Sequence, residues 1–338
     1  MNVVQIENGT YRNQEVNGIF PVVKGITKAK DGSFFVTVNA KETEFNNPKI
    51  RVKVNLQEQV TELEGSAGKV VTETDEEAIE RIAERFSILE EMTGATIDGL
   101  VRGMVVTGPP GVGKTYGVEQ VLEKDSLFDV MADNRLRHTF VKGAMSAIGL
   151  YSTLYKYSES KNIVVLDDCD SILFNEDALN ILKAALDSGQ KRRISWNSDS
   201  HFLRREGVPS EFEFKGSVIF ITNLKFDNVR STKIKDHLEA IMSRCHYLDL
   251  TLDTTRDKIL RIKQIARDGG LFDKKGLSKQ QEIDIIDFMV DNQTKLREIS
   301  LRMAQKIADL RRMSTEQLGD GSRWKRLAET TCMKRNVA

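Results

Sequence analysis

The sequence predicts an α/β protein whose central parallel sheet is flanked by helices, with a small β-rich module before it and a helical lobe after it. Strand-like apolar runs alternate with helical stretches between Val101 and Leu250, as in parallel sheets covered by helices on both faces. The earlier residues are rich in β-branched side chains and turn formers, whereas those after Leu250 have helical periodicity. The predicted domains are 1–71, 72–250 and 251–338.

The N-terminal module is predicted from two segments, 33–39 and 49–55, in which apolar and polar residues alternate as in half-buried strands. Small and polar residues predict a linker over 65–74, and a helix is predicted over 75–92. The five predicted core strands are 104–107, 138–141, 163–166, 218–222 and 247–250. The predicted C-terminal helices lie near 254–267, 279–291, 295–312 and 322–335.

Composition excludes several classes of protein. The 338 residues include 50 Lys plus Arg and 50 Asp plus Glu, so the whole molecule has no net field that would indicate a nucleic acid or an acidic membrane. The three cysteines are far apart and form no C-x-x-C motif, which predicts neither a zinc site nor a disulfide framework. No basic leader or long apolar run is present. We therefore expect a soluble cytoplasmic protein with no membrane partner.

The most informative motif is the segment Gly108-Pro-Pro-Gly-Val-Gly-Lys114-Thr115, which fits the pattern G-x-x-x-x-G-K-[ST] without departure. Glycines let backbone N–H groups close around a phosphate, the lysine balances phosphate charge, and the hydroxyl can bind Mg²⁺. A strand leads into this loop and a helix leaves it, so the helix N-terminus faces the phosphates. The predicted ATP-binding residues are Gly108, Pro109, Pro110, Gly111, Val112, Gly113, Lys114, Thr115 and Tyr116.

A second motif is the apolar strand 163–166, which ends in Asp167 and Asp168 and matches a Walker B strand. Because carboxylates at the carboxyl end of a parallel strand lie beside the phosphates, Asp167 is predicted to hold Mg²⁺ together with Thr115. Asp168 is the candidate that activates the attacking water. Taken alone, an apolar strand that ends in aspartate is common, but its position after the phosphate loop favours the catalytic interpretation.

Two further candidates follow strand and helix ends. Asn223 ends the strand 218–222, where a neutral polar group can orient water beside the γ-phosphate; the alternative is a turn or helix-capping asparagine. Arg244 follows a predicted helix and could reach the γ-phosphate of a neighbouring subunit. An exposed arginine at a helix end usually only complements the helix dipole, and the residues alone favour that simpler role.

Together these motifs resemble the AAA+ ATPase superfamily, in which P-loop, Walker B, sensor 1 asparagine, arginine finger and helical lid occur in this order. The resemblance covers roughly residues 75–312 and implies ATP and Mg²⁺ as cofactors, a homo-oligomer, and Arg244 as a finger acting between subunits. Ser243-Arg244-Cys245 is similar to the finger motif of sliding-clamp loaders. The segment 294–300 resembles the lid helix that carries sensor 2, so Arg297 is expected at the γ-phosphate of its own subunit.

The sequence departs from the superfamily pattern in two places. Asp168 stands where glutamate is usual, which admits slow hydrolysis, although an Asp-Asp pair resembles replication initiators, helicase loaders and some viral helicases. The interval from Asp168 to Asn223 is long and predicts an inserted hairpin or loop. The residues of this insert that are candidates for nucleic-acid contact, or alternatively form a solvated charged face, are Lys191, Arg192, Arg193, Trp196, Arg204 and Arg205.

The predicted function is an oligomeric Mg²⁺-dependent ATPase that remodels or moves a macromolecule, with DNA as the leading candidate substrate. In ring-forming members of the superfamily, the loop after the second core strand grips the polymer. The candidates for this contact in the present sequence are Lys142 and Met145. One alternative is a protein unfoldase or complex disassembler whose adaptor or substrate binds the module 1–71. Another is a nucleotide-gated interaction protein with little hydrolysis.

Overall fold

The computed structural model separates the chain into two compact units, Met1–Thr74 and Asp75–Ala338. Most of the predicted linker 65–74 lies outside the described residues, and the predicted boundary at residue 250 stays a prediction. The structure describes residues 3–12, 14–29, 33–40, 45, 47–54, 60–63, 73–224, 232–252, 254–268, 270–316 and 321–334.

The N-terminal unit is a small antiparallel sheet. Its strands are β1 (Val3–Tyr11), β2 (Gln14–Lys28), β3 (Phe34–Ala40), β4 (Asn47–Val54) and β5 (Val60–Leu63). The strand order is β2-β3-β4-β1-β5, and β2 also pairs with β1, so the sheet closes on itself. The alternating residues Val36, Val38, Ile50 and Val52 are fully buried inside it, as the period of two predicts.

The second unit contains the predicted α/β core and helical lobe. Its strands are β6 (Gly103–Thr107), β7 (His138–Lys142), β8 (Ile163–Asp167), β9 (Arg193–Ser195), β10 (Glu211–Glu213), β11 (Ser217–Thr222) and β12 (His246–Asp249). Its helices are α1 (Asp75–Ile97), α2 (Lys114–Asp125), α3 (Leu127–Met131), α4 (Ala147–Lys156), α5 (Glu176–Ala185), α6 (His201–Arg205), α7 (Thr232–Met242), α8 (Thr255–Asp268), α9 (Lys279–Asp291), α10 (Leu301–Glu316) and α11 (Trp324–Cys332).

The central sheet is parallel, with the strand order β12-β6-β11-β8-β7. Alternate residues of each strand enter opposite apolar clusters: Val105 packs with α4 and α5, whereas Met104 and Val106 pack with α1 and α2. Both faces are therefore covered, which explains why the three central strands β6, β8 and β11 are buried at every position. The edge strands β7 and β12 are more exposed and carry more polar residues. The α/β fold class predicted from the sequence is confirmed, and each core strand lies within one residue of its predicted bounds.

The helical lobe has a helix at each of the four predicted positions, and the largest difference in bounds is at the start of the third. That helix was predicted over 295–312, but α10 begins only after Ser300, whose Oγ accepts a hydrogen bond from Met303 N at 3.1 Å. The residues before it pair with the chain after α11, where Arg297 N donates to the carbonyl oxygen of Cys332 at 3.0 Å. This long-range pairing takes the residues out of the helix.

The insert before β11 is a hairpin, as predicted. Strands β9 and β10 pair antiparallel, and the short helix α6 lies in the connection between them. Ile194 and Phe212 face the core from the two strands, so the hairpin is packed on the α/β unit.

Candidate active site

The loop between β6 and α2 requires glycine at several positions. Gly108, Gly111 and Gly113 have φ values of 146°, 72° and 105°, which other L-residues rarely adopt. At Gly111 there is a second constraint, because an added Cβ would lie 2.8 Å from Cβ of Ser300. Ser300 directly precedes α10, so the C-terminal helical lobe, called the lid below, packs directly on this loop.

The lysine of the loop is buried and held by neutral oxygens. Lys114 Nζ donates to the carbonyl oxygens of Gly108 at 2.7 Å and Pro109 at 2.9 Å. A third hydrogen bond runs to Asn223 Oδ1 at 2.8 Å. The lysine of the first motif and the asparagine of the third thus meet at one point, although 109 positions separate them along the chain.

The pKa of Lys114 depends on its burial and on charged residues on both sides of it. Burial lowers its pKa to about 8, the carboxylate of Asp168 opposes this shift, and the positive charge of Arg302 adds to it. A buried ammonium held mainly by carbonyl groups is a position that an anion would stabilise.

The threonine after the lysine contacts the first Walker B carboxylate. Thr115 Oγ1 donates to Asp167 Oδ1 at 3.0 Å, and burial raises the pKa of Asp167. Lys142, the last residue of β7, lies 3.6 Å from Asp167 Oδ2 and bonds Glu119 Oε1 at 2.7 Å. The structure thus places Lys142 beside the candidate nucleotide site and adds Glu119, which sequence reasoning missed because no motif marks its position on α2.

The second Walker B carboxylate is held by the predicted sensor residue. Asn223 Nδ2 donates to Asp168 Oδ1 at 2.9 Å, so one amide side chain bonds both Lys114 and Asp168. Asp168 has a φ of 52°, in the left-handed region, and its backbone N–H bonds the carbonyl oxygen of Ile221 at 2.9 Å. Aspartate and asparagine enter this region more readily than most other residues except glycine.

These groups line one wall of a cleft of about 790 Å³, and the lobe after β12 lines the other. The lid wall carries four cationic side chains, which are Arg261, Lys275, Arg302 and Arg312. Of the predicted nucleotide-binding loop, the residues that line the cleft are Pro110, Gly111, Gly113, Lys114, Thr115 and Tyr116. Val112 is instead buried beneath the loop.

The predicted sensor 2 residue does not line the cleft. Arg297 Nε donates to the carbonyl oxygen of Met333 at 3.0 Å, because its segment pairs with the chain after α11. Arg302, in the first turn of α10, lines the cleft instead and is close enough to influence Lys114. The sequence signal that could have found it is Ser300, a capping residue immediately before the helix.

Arg244 lies at the opposite edge of the sheet. It precedes β12, whose first residue pairs with Met104, whereas the phosphate loop follows the other end of β6. Arg244 Nη1 donates to the carbonyl oxygen of Ala240 at 2.6 Å, and its Nε lies 3.9 Å from Asp187 Oδ1. It lines a pocket of about 560 Å³ with other basic residues, which are Lys183, Lys191, Arg192 and Arg193.

Most candidate nucleic-acid contacts of the insert have partners within the protein. Arg193 pairs with Glu211 at 3.4 Å, and Trp196 packs on the ring of Tyr151. Arg192 is buried and donates to the carbonyl oxygen of Ala185 at 2.9 Å. The remaining ion pairs are Arg204–Asp199 and Arg205–Glu206.

A glycine-rich loop that opens a helix beside a hydroxyl–carboxylate pair defines the class of P-loop nucleotide-binding proteins. Residues 104–242 match the model of the AAA family, the ATPase family associated with various cellular activities. The chain belongs to the AAA+ ATPase superfamily, as its motifs predicted.

Similar proteins were found in a phage and among solved structures. The chain is 32% identical over 318 residues to an uncharacterised 36.7 kDa protein from the nrdC–mobD intergenic region of Enterobacteria phage T4, covering 91% of this chain and 93% of that protein. Domain III of the Thermotoga maritima replication initiation protein DnaA has a TM-score of 0.43 at 11% identity, covering 72% of this chain and 91% of that domain. The Aeropyrum pernix ORC2 protein has a TM-score of 0.41 at 15% identity, covering 74% and 67%. These structural values are low, and nothing about the substrate follows from them.

Among the residues that the structure describes, none of the helices has the length and apolar composition needed to cross a bilayer.

Proposed function

We propose that the chain is a Mg²⁺-dependent ATPase that acts as an oligomer and couples ATP hydrolysis to the remodelling or movement of a macromolecule. The observation that carries this proposal is the continuous set of contacts from Lys114 through Asn223 to Asp168, next to the Thr115–Asp167 pair. These are the groups that phosphate binding, metal binding and water activation need, and they already lie together.

The residues present fit a nucleoside triphosphate and its metal. The loop supplies backbone N–H groups, and Lys114 supplies a cation that, among the residues the structure describes, only neutral oxygens bond directly. Thr115 and Asp167 would hold Mg²⁺, because hydroxyl and carboxylate oxygens are ligands that this ion prefers. When bound, Mg²⁺ neutralises charge on the β- and γ-phosphates.

Water activation is assigned to Asp168 and Asn223. The Asp168 carboxylate is exposed at the end of β8, where it can accept a proton from an attacking water. Asn223 fixes the carboxylate through its amide N–H and adds no charge of its own. On the lid wall we assign the sensor role to Arg302 in place of Arg297, since Arg302 lines the cleft.

Arg244 is proposed to complete the site of a neighbouring copy. Five or six residues of strand separate its level in the sheet from Gly108, which corresponds to roughly 15–20 Å. That distance is longer than an arginine side chain, so Arg244 does not reach a nucleotide in its own cleft. An arginine supplied by a second copy therefore accounts for both its position and its motif.

Two classes of macromolecule are candidates for the substrate. DNA remains the leading candidate, supported by the clamp-loader-like triplet and the Asp-Asp pair, while the ion pairs within the insert reduce the support that its arginines give. A protein substrate bound by the N-terminal unit is the alternative. A cytoplasmic site of action is supported by three free cysteines.

The test is steady-state ATP hydrolysis by the purified protein, alone and with single-stranded or double-stranded DNA. Lys114→Ala should lose ATP binding and turnover, whereas Lys124→Ala, an exposed lysine on the same helix, should behave as wild type. Hydrolysis in Lys114→Ala equal to wild type would contradict the assigned site. Stimulation by DNA supports a DNA substrate, and hydrolysis indifferent to DNA favours protein remodelling. Tight ATP binding with almost no turnover favours the nucleotide-gated interaction protein.

A further inference from the structure

One cationic side chain of the lid wall is buried without a counter-charge. Arg261, on α8, lines the nucleotide cleft with only 7% of its surface exposed. In the part of the chain that the structure describes, no carboxylate lies within ion-pair distance of it, and its Nε has no hydrogen-bond partner. Its guanidinium makes one side-chain hydrogen bond, from Nη1 to Gln264 Oε1 at 2.9 Å.

The second contact of Arg261 is aromatic. Its guanidinium carbon lies 3.4 Å from the centre of the Phe86 ring on α1, which is a cation–π contact between lid and core. Burial lowers the pKa of Arg261 to about 10, and only the more distant charge of Glu90 opposes this shift. The contacts seen thus compensate a buried positive charge only in part, because the removal of an ion from water is strongly unfavourable.

The side chain is directed at the phosphate loop. A Cβ built on Gly113 would lie 3.9 Å from Arg261 Nη2, so the guanidinium stands beside the residue that precedes Lys114. A P-loop binds phosphates through the N–H groups of this same stretch. A phosphate there would supply both the missing acceptor and the missing negative charge.

We propose that Arg261 binds a phosphate group of the nucleotide from the lid side of the cleft, a role that no sequence motif marks. This inference rests on the proposed nucleotide site and adds a phosphate ligand carried by α8. It differs from a purely structural role, in which Arg261 only fastens the lid to α1. That role already has a candidate nearby, because Arg81 on α1 forms an ion pair with Asp257 on α8 at 3.1 Å.

The two roles predict opposite effects on the nucleotide-free protein. In the first case Arg261 binds a phosphate when nucleotide is present and is uncompensated without it. Arg261→Met then keeps an apolar stem over Phe86 and removes an uncompensated charge, so thermal stability without nucleotide stays equal or rises. If Arg261 only fastens the lid, loss of the cation–π contact lowers that stability. Stability and ATP affinity therefore need to be measured on the same variants.

The experiment compares wild type with Arg261→Met, Arg261→Lys and the control Arg267→Met, an exposed arginine on the same helix. The midpoint of thermal unfolding is recorded without nucleotide, and ATP and ADP dissociation constants are measured by calorimetry. We expect Arg261→Met to weaken ATP or ADP binding by roughly 10- to 100-fold, the usual effect of one hydrogen bond to a charged group. Arg261→Lys should recover part of that loss, and Arg267→Met should match wild type.

Unchanged ATP affinity in Arg261→Met would overturn the inference and leave the nucleotide site intact. A loss of equal size in Arg261→Met and Arg261→Lys, or a loss accompanied by a lower unfolding midpoint, would also overturn it in favour of the structural role. If the wild-type protein itself fails to bind ATP, the proposed function and this inference fall together.

Discussion

The two edges of the parallel sheet differ in whether their candidate site residues contact one another. At the carboxyl edge, Asn223 already bonds both Lys114 and Asp168, and Thr115 bonds Asp167. At the amino edge, Arg244 lies in a basic pocket whose lining also includes Asp187, with Oδ1 3.9 Å from Arg244 Nε. The first edge gathers the residues of the proposed nucleotide site, whereas the second has a residue that we propose acts on a neighbouring copy.

The direction of the strands explains this difference. Because all five strands of the sheet run parallel, residues before a strand and residues after it stand a full strand length apart. One subunit cannot bring its own two edges together. Two copies stacked edge to edge could do so, which makes the oligomer a requirement of the chemistry we propose rather than an addition to it.

The largest effect on turnover is expected from the loss of Arg244 at the amino edge. Arg244→Ala should leave ATP binding near wild type while lowering turnover by about 10³-fold or more, the range of measured arginine fingers. ATP binding by calorimetry and steady-state hydrolysis measure the two quantities separately. An assembled Arg244→Ala protein with wild-type turnover would contradict the finger assignment.

Mixing offers a sharper form of this comparison. Copies with Arg244→Ala keep an intact cleft, and copies with Lys114→Ala keep an intact finger. If the arginine acts between subunits, a mixture should hydrolyse ATP faster than the sum of the two variants measured alone. A mixture equal to that sum, in assemblies shown to contain both variants, would argue against action between subunits.

A smaller effect is expected from Asp168→Asn at the carboxyl edge. The amide fits the same left-handed backbone and can still accept from Asn223, but it does not take a proton from water. Turnover should fall by about 10²-fold with ATP binding retained, since general base catalysis contributes about 10²–10⁴. Asp133→Asn is the matched control, because Asp133 has a φ of 53° and does not line the cleft. Turnover insensitive to Asp168→Asn would support the nucleotide-gated interaction protein.

The smallest effect concerns the lid wall. Arg302→Met should lower ATP affinity or turnover by roughly 10-fold, through loss of one charge-assisted contact to the nucleotide. Arg297→Met should have almost no effect on either, since its side chain bonds the carbonyl oxygen of Met333. The reverse pattern in the same two assays would restore Arg297 as the sensor.

Local motifs predicted which residues of the core would lie together at the candidate site. The phosphate loop, Asp167, Asp168 and Asn223 follow buried parallel strands, and parallel strands bring their carboxyl ends to one edge whatever their separation in sequence. The lid was less predictable, because the start of α10 depends on a pairing between residues near 296 and 333 that no local pattern reveals. That pairing places Arg302 in the cleft instead of the predicted Arg297.

The folded structure also changes the interpretation of two other features, the basic insert and Asp168. The basic insert looked available for a polyanion, but Arg192 is buried and Arg193 pairs across the hairpin with Glu211. Asp168 looked like a shortened glutamate, yet its φ of 52° favours aspartate over longer side chains. The role of the insert arginines depends on their partners in the folded chain, and the preference for aspartate at position 168 depends on the backbone conformation there. Neither is visible in the sequence.

The contact between the lid and the phosphate loop has a thermodynamic consequence. Leu301 N, at the start of α10, donates to the carbonyl oxygen of Gly111 at 2.9 Å, and Ser300 packs against the same glycine. A tilt of α10 would therefore disturb the loop, so we expect lid orientation to be linked to the affinity of the proposed nucleotide site. Linkage is reciprocal: any partner that binds one lid orientation better must change ATP affinity by the factor by which ATP changes its own.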